Sequence, residues 1–270
     1  MNARAKGDGA FAERCESARA ALRGALEIGW QGTHYALDFA DSGEPLGMPN
    51  AMTTGWPAYS GAVDHARAIA AIEGGLKSIE RANRILLLEK PFFEHSAPYP
   101  GRIADYPPGV RENGGQYSHG ASWIVDGFVR LSEDARAAGD AGGAAALIAR
   151  AFTIFEKISP LKKTDPDNIA RYGLAPNQQP ADIYDGYGHD GRGGWSWYTG
   201  SAARMLSAAY AMLGLRMVEG EIVVAPELFE AKGELQVQAL HADGRDWRRA
   251  DGRLAPAGDA IGEAEETPAE

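Results

Sequence analysis

The sequence predicts a mainly α-helical fold: an α/α toroid-like body that runs into a small β module and then a disordered acidic tail. Three observations predict it. Apolar residues recur at helical spacing in several stretches between Phe11 and Leu213. Long polar connections rich in glycine and proline join those stretches. Beyond Leu215 the spacing changes to the alternation of strands.

Phe11 to Glu27 is rich in Ala, Leu, Arg and Glu, and Phe11, Cys15, Ala18, Leu22, Ala25 and Leu26 form an apolar stripe, so an amphipathic helix is expected there. Tyr35, Leu37 and Phe39 alternate before an Asp41-Ser42-Gly43 turn, the pattern of a short hairpin. Leu46 to Thr54 reads as irregular. Trp56 to Ala82 returns to helix, in two pieces broken near Gly61. The second piece carries the stripe Ala66, Ile69, Ala70, Ile72, Leu76 and Ile79, although Gly74 and Gly75 each cost about 1 kcal/mol there against alanine. Ile85 to Leu88 is a short extended run, and the five prolines of Pro91 to Pro108 require an ordered loop.

Trp123, Ile124, Gly127, Phe128 and Leu131 define the face of one helix, and Leu147, Ile148, Ala151, Phe152, Phe155 and Ile158 that of a second over Ala144 to Ile158. Ser159 to Asp190 is a long loop, a length more often functional than idle inside a compact domain. A further helix is expected over Thr199 to Leu213. Leu215 to Val218 and Ile222 to Val224 read as a hairpin, and Glu234 to His241 alternates. The expected organisation is a disordered start (1–10), the helical body (11–214), the start of a β module (215–250) and a disordered tail (251–270).

Composition narrows the partners. At 44% hydrophobic and 24% charged residues, the 270-residue chain lies in the ordinary globular range. A formal net charge of −10 argues against nucleic acid or an anionic membrane surface as the main partner. It leaves room for a local anion site. Cys15 is the single cysteine, which excludes an internal disulfide. Met1 to Gly9 is polar and no apolar run of membrane-spanning length occurs, so a cytoplasmic location is expected.

Two stretches carry the chemistry. Gly109-Val-Arg-Glu-Asn-Gly-Gly-Gln-Tyr-Ser-His119-Gly-Ala-Ser-Trp123 and Gly191-Arg-Gly-Gly-Trp-Ser-Trp-Tyr-Thr-Gly-Ser-Ala202 both run from glycines and aromatics into an apolar helix. A lone histidine at such a junction is more often a cap or core residue than a ligand. Gly114 and Gly115 beside His119 favour the ligand, because they let a backbone approach it closely. Thr199-Gly200-Ser201 could be a plain N-cap. It could also bind an anion through free N–H groups, the positive end of the helix dipole and a hydroxyl. No lysine follows in Walker spacing. Trp195, Trp197 and Tyr198 are either core aromatics or a stacking platform for sugar rings. Arg111, Glu112 and Asp182 are loop charges. His34, His65, His95, His189 and His241 are scattered without ligand spacing, so no metal is expected.

The block Tyr106-Pro-Pro-Gly-Val-Arg-Glu-Asn-Gly-Gly-Gln-Tyr-Ser-His119 resembles that of the inverting glycoside phosphorylases. The family includes cellobiose and chitobiose phosphorylases and the C-terminal region of cyclic β-1,2-glucan synthases, the branch most similar here. Ala170-Arg-Tyr-Gly173, Ala181-Asp-Ile-Tyr184 and Gly191 to Ala202 follow in the family's order, and the resemblance runs from about Phe11 to Pro226. It implies a partial (α/α)6 barrel, the C-terminal part of a catalytic domain. It also implies phosphorolysis of a β-glucoside with inversion, or the reverse synthesis, with inorganic phosphate as co-substrate and no other cofactor.

By that resemblance His119, Thr199 and the backbone of Gly200 would hold phosphate, while Glu112, Gln116, Asp182 and Trp195 would line or support the sugar subsites. The family's catalytic aspartic acid belongs to an Asp-Trp-Asn-Asp type motif upstream of the matched residues. The motif is absent here, so no catalytic residue is assigned to this chain. Ala175-Pro176-Asn177 stands where Glu-Pro-Tyr is usual, and Arg204 and Leu206 where bulky aromatics are common. The implied partners are a β-glucoside oligosaccharide, phosphate, and a companion chain or second copy completing the barrel. The alternatives are a degenerate relative that binds phosphate or saccharide without turnover, or an α/α-barrel lectin-like or scaffold protein.

Overall fold

The computed structural model describes residues 6–186, 188–218, 221–224, 247–250 and 253–256. It divides into two compact units, Met1–Ala208 and Ala209–Glu270. The first contains α1 (Gly9–Leu26), the hairpin β1–β2 (Asp38–Phe39 and Pro45–Leu46), α2 (Ala51–Ser60), α3 (His65–Ile79), β3 (Gln116–Tyr117), α4 (Ser118–Ala137), α5 (Ala141–Ile158), α6 (Ile169–Tyr172) and β4 (Asp182–Ile183). It also holds the start of α7 (Thr199–Met212). The second holds β5 (Leu215–Val218), β6 (Glu221–Val224), β7 (Trp247–Ala250) and β8 (Arg253–Pro256) in one antiparallel sheet of order β5-β6-β8-β7. The chain is therefore mainly helical with a small sheet module. The expected strand over Glu234 to His241, the first residues of the chain and the tail beyond Pro256 lie outside the described residues.

The helices start and stop where local chemistry provides for their ends. Asn50 caps α2, its Oδ1 accepting from the N–H groups of Met52 and Thr53 at 2.9 and 3.1 Å. Gly61, at φ +60°, closes the same helix in the left-handed conformation that glycine tolerates. This is the break expected between the two pieces, although the first piece begins at Ala51, inside the stretch read as irregular. Asp64 and Asp140 cap α3 and α5 in the same manner as Asn50.

Helix α4 is the centre of the body. It packs on both α5 and α2, and α2 packs on α3. The α2–α4 crossing is set by glycine. A Cβ on Gly55 would lie 2.7 Å from the carbonyl carbon of Trp123, and one on Gly127 would lie 3.0 Å from the Gly55 carbonyl oxygen. Gly75 likewise leaves room for the Thr54 side chain. The glycines that weaken α3 as an isolated helix are therefore the residues that let it dock. Ile72, Leu76, Ile79, Ile124, Phe128 and Ile158 fill the core between these helices. Ile85 to Leu88 runs extended and buried beside them, bridging to Glu80 and Asn50.

Three expectations change. Helix α1 forms, but its apolar stripe faces outward: Phe11 and Leu22 are 47% and 68% exposed, and Ala12 is the helix's buried residue. The helix is held instead by its polar side, where the Arg23 guanidinium donates to the carbonyls of Ala62 and Gly61 at 2.6 and 2.9 Å. The long connection after α5 is not structureless, since it carries the turn Pro160–Lys163, α6 and β4. Residues 253–256, part of the stretch that composition assigns to the tail, form β8, because β7 supplies the pairing that an isolated Ala- and Gly-rich segment lacks.

Candidate functional site

The site is built on the pairing of β3 with β4, which sets Tyr117 opposite Asp182 and Gln116 opposite Ile183. This two-residue ladder brings the end of the first glycine stretch against the long connection, and Ser118 N–H to Ala181 carbonyl, 2.8 Å, extends it into the start of α4. The second glycine stretch lies along the far side of β4. Ala181 N–H donates to the Trp195 carbonyl at 2.7 Å and Gly194 N–H to the Asp182 carbonyl at 2.9 Å. Both glycine stretches therefore converge on Asp182.

The Asp182 carboxylate is the clip between them. One oxygen accepts from the backbone N–H of Arg111 and the other from that of Trp195, each at 3.2 Å. The residue is 1% exposed. Burial pushes its carboxyl above the usual carboxylate range, and the two N–H donors and the Arg111 charge offset part of that rise. A side chain on Gly194 would collide with this carboxylate, so glycine is required at that point of the loop. Gln116 is as deeply committed, its Oε1 accepting from Ile85 N–H at 3.1 Å and its Nε2 donating to Ser118 Oγ at 3.2 Å. Both residues support the site from beneath.

Other expected residues stand nearer the surface. The Arg111 guanidinium lies 5.8 Å from the Tyr106 ring centre and 5.9 Å from that of Trp195, and its Nε is 3.7 Å from a Glu112 oxygen. Neither of those two facing atoms has a hydrogen-bond partner. Arg111 also holds φ +49°, an uncommon and strained backbone for a non-glycine residue. Trp195 is 68% exposed, its ring open on one side.

His119 occupies the first turn of α4 and faces the first turn of α7. A Cβ on Gly200 would lie 3.4 Å from His119 Nδ1 and 3.7 Å from Cε1. Thr199 opens α7 and is exposed, so the leading N–H groups of that helix, which have no intrahelical partner, start beside the imidazole. The ring is stacked between Tyr117 and Trp123, with centres 6.4 and 6.1 Å away. Tyr117 and Tyr198 join hydroxyls at 3.0 Å, and burial together with that bond pushes the Tyr117 phenol up to about 12.

Burial, and then the positive charge of Arg204, push the His119 imidazole below its ordinary range. That shift favours the neutral ring, which has one N–H to donate. Arg204 pairs with the buried Asp126 and stacks on Trp123 at 3.8 Å. Trp56 and Tyr59 complete that aromatic cluster, 4.6 and 4.8 Å from Trp123.

The structure thus gathers His119 and Gly200, with Thr199 beside them, at one helix start. It gathers Glu112, Asp182 and Trp195 around Arg111, with Tyr117, opposite Asp182 and beside the His119 ring, linking the two groups. Sequence reasoning missed Asn113. Its amide donates to the carbonyls of Phe92 and Tyr106 at 2.9 and 2.8 Å and accepts from Phe92 N–H at 2.6 Å, pinning the proline-rich loop to the glycine stretch. An asparagine preceding two glycines was the available signal. The Arg204–Asp126 pair was missed as well, since two turns of different helices bring it together.

The family model that describes the catalytic domain of the glycosyl hydrolase 94 superfamily matches residues 2–214. The chain belongs to that superfamily. This glycosyl hydrolase 94 chain is 34% identical over 219 residues to the cyclic beta-(1,2)-glucan synthase NdvB of Rhizobium meliloti (strain 1021), a match covering 77% of the chain and 7% of the relative. It is 25% identical over 225 residues to the solabiose phosphorylase of Paenibacillus borealis, covering 79% of the chain and 27% of that enzyme. The chain therefore spans a small part of the length of these curated relatives. No helix among the described residues is long and apolar enough to cross a membrane.

Proposed function

We propose that this chain is the phosphate- and saccharide-handling segment of an inverting glycoside phosphorylase or related glycosyltransferase acting on β-linked glucosides. The observation that carries this reading is the meeting of the His119 imidazole with the α7 start at Gly200. A neutral imidazole N–H, the Thr199 hydroxyl and the unpaired N–H groups of the first helical turn suit a tetrahedral oxyanion, which the helix dipole also favours. Trp195, open beside Arg111 and Glu112, suits the C–H face of a sugar ring, and Asp182 and Gln116 hold the loops that present it.

In the reaction so proposed, a phosphate oxygen forms a bond to the anomeric carbon as the bond to the leaving oxygen breaks, with inversion. The leaving oxygen needs a proton. Asp182 accepts two backbone N–H bonds and Glu112 faces Arg111, so neither carboxyl suits that transfer. The proton donor is assigned to a carboxylic acid outside this chain, and loss of such an acid lowers rate by about 10²–10⁴-fold. This chain alone is therefore proposed to bind phosphate and saccharide without rapid turnover.

Calorimetry with inorganic phosphate tests the site. His119→Ala and Thr199→Val should each weaken binding about tenfold, and Gly200→Ala should do so by filling the gap beside the imidazole. Unchanged affinity in all three would remove the phosphate assignment. Incubation with β-linked gluco-oligosaccharides and phosphate should yield no appreciable glucose 1-phosphate, and ready turnover would overturn the assignment of the acid elsewhere.

A further inference from the structure

A cavity whose lining does not include His119 lies where the turn Pro160–Lys163 and α6 meet the segment after α3. Its inner recess, about 30 Å³, is lined by Lys162, Lys163, Arg171 and Tyr172 with Asn83 and Gly191. It shares Asn83, Lys162 and Lys163 with an outer cavity of about 310 Å³ that reaches Ala82, Thr153, Glu156 and Lys157. Three cations around one recess are unexpected in a chain with a net charge of −10.

The charges there are unequally compensated. Lys157 is matched by Glu80, 2.6 Å away, and Lys162 by Glu156 at 3.0 Å in an exposed pair of little strength. Lys163 is 6% exposed, yet its ammonium donates to two carbonyls, those of Asn83 and Lys157, both at 2.5 Å. Among the described residues neither Lys163 nor Arg171 has a carboxylate partner, and the charge acting on Lys163 is that of Arg84, itself positive. A buried ammonium without a counter-charge is costly, and burial accordingly lowers its pKa to about 8.

A second, independent feature lines the same recess. Tyr172 is 1% exposed and its hydroxyl has no hydrogen-bond partner. Buried hydroxyls are normally satisfied. The missing partner for the tyrosine is an acceptor, and the missing partner for the buried lysine is a negative charge. One oxyanion supplies both.

We propose that this recess is an oxyanion site for a phosphate group, inorganic or as a phosphate monoester. Lys163, Arg171 and the Tyr172 hydroxyl are the donors, and Lys162 stands at the entrance. Donors of three kinds lining one recess suit the several acceptor oxygens of a tetrahedral anion. The outer cavity is of the size that accommodates small organic molecules, so it has room for the organic part of an ester. The recess is walled by Ile183, the neighbour of Asp182, and by Gly191, which opens the second glycine stretch. The site is distinct from the proposed clamp at His119 and does not depend on it.

The test uses the full chain carrying His119→Ala, which weakens the other proposed phosphate site. Isothermal titration with inorganic phosphate, glucose 6-phosphate and acetate should show one site for the phosphates that acetate fails to fill. Tighter binding of the ester would place its sugar in the outer cavity, and tighter binding of inorganic phosphate would identify a free-ion site. Lys163→Met should weaken either about tenfold and Tyr172→Phe about threefold. Arg171→Ala and Lys162→Ala, both at exposed positions that do not threaten folding, should weaken it several-fold, while the remote, exposed Lys77→Ala should not. No phosphate binding in the His119→Ala chain, equal binding of acetate, or affinity indifferent to Arg171 and Lys162 would overturn the proposal.

Discussion

The two glycine stretches look alike in sequence and are used differently. In the first, from Gly109 to Trp123, two polar side chains are turned into the protein: Asn113 and Gln116 are fully buried, and each spends its amide on backbone or on Ser118. In the second, from Gly191 to Ala202, Trp195 and Trp197 stand 68% and 67% exposed. Gly194 is there to admit the Asp182 carboxylate. The first stretch is a foundation and the second a contact surface, and Asp182 is the bond between them. Damage to Asn113 or Gln116 should therefore be read in stability, and damage to Trp195 in binding.

The largest effect should come from the foundation. Asn113→Ala removes three hydrogen bonds and strands the Phe92 and Tyr106 backbone, a loss of about 3 kcal/mol that calorimetric melting will detect. Gly109→Ala should be comparably severe, because φ is +81° and the new Cβ would meet the Asp185 carbonyl. Asp182→Asn comes next, at about 2 kcal/mol, since an amide can accept from one of the two N–H groups but turns a donor toward the other. If melting is unchanged in Asp182→Asn, the two stretches are not tied through that carboxyl.

Trp195→Ala should do the opposite, altering stability by less than about 0.5 kcal/mol while reducing retention on immobilised β-glucan. A large drop in melting temperature would make the ring a core residue and erase the contrast between the stretches. The smallest effect concerns His119. Its native pKa lies below the ordinary value, so the unfolded chain takes up the proton first. Stability should fall as pH drops through about 6.5 and level off below the native value. Arg204→Met removes a repelling charge and should raise the His119 pKa toward the ordinary value in an NMR titration. A fall would show that Arg204 does not act on the ring as a charge.

The helices were legible because a 3.6-residue period survives wherever one face is buried, as in α3, α4 and α5. What was lost had no period to read. The β3–β4 ladder is two residues long, too short for alternation to show, yet it sets Asp182 against Tyr117. In α1 the stripe Phe11, Cys15, Leu22 was read correctly as a pattern but not as an orientation, because periodicity names a face without naming its neighbour. His119 and Gly200 were legible as neighbours of helix starts, and both do lie in the first turns of α4 and α7. The Arg204–Asp126 pair depends on a contact between helices far apart in the chain, and such a contact leaves no local trace.

The crossing of α2 and α4 through Gly55 and Gly127 has a consequence for how this body tolerates mutation. At most positions in a helical core a smaller residue is the hazard, because it leaves a void. Here the hazard is reversed. A methyl group at Gly55 would press on the Trp123 backbone. Separating the helices to relieve it would displace the one that carries His119. In a saturation-mutagenesis map, these two hydrogen-sized side chains should stand out as positions where no replacement survives, while the nearby Ile72 and Ile124 accept valine.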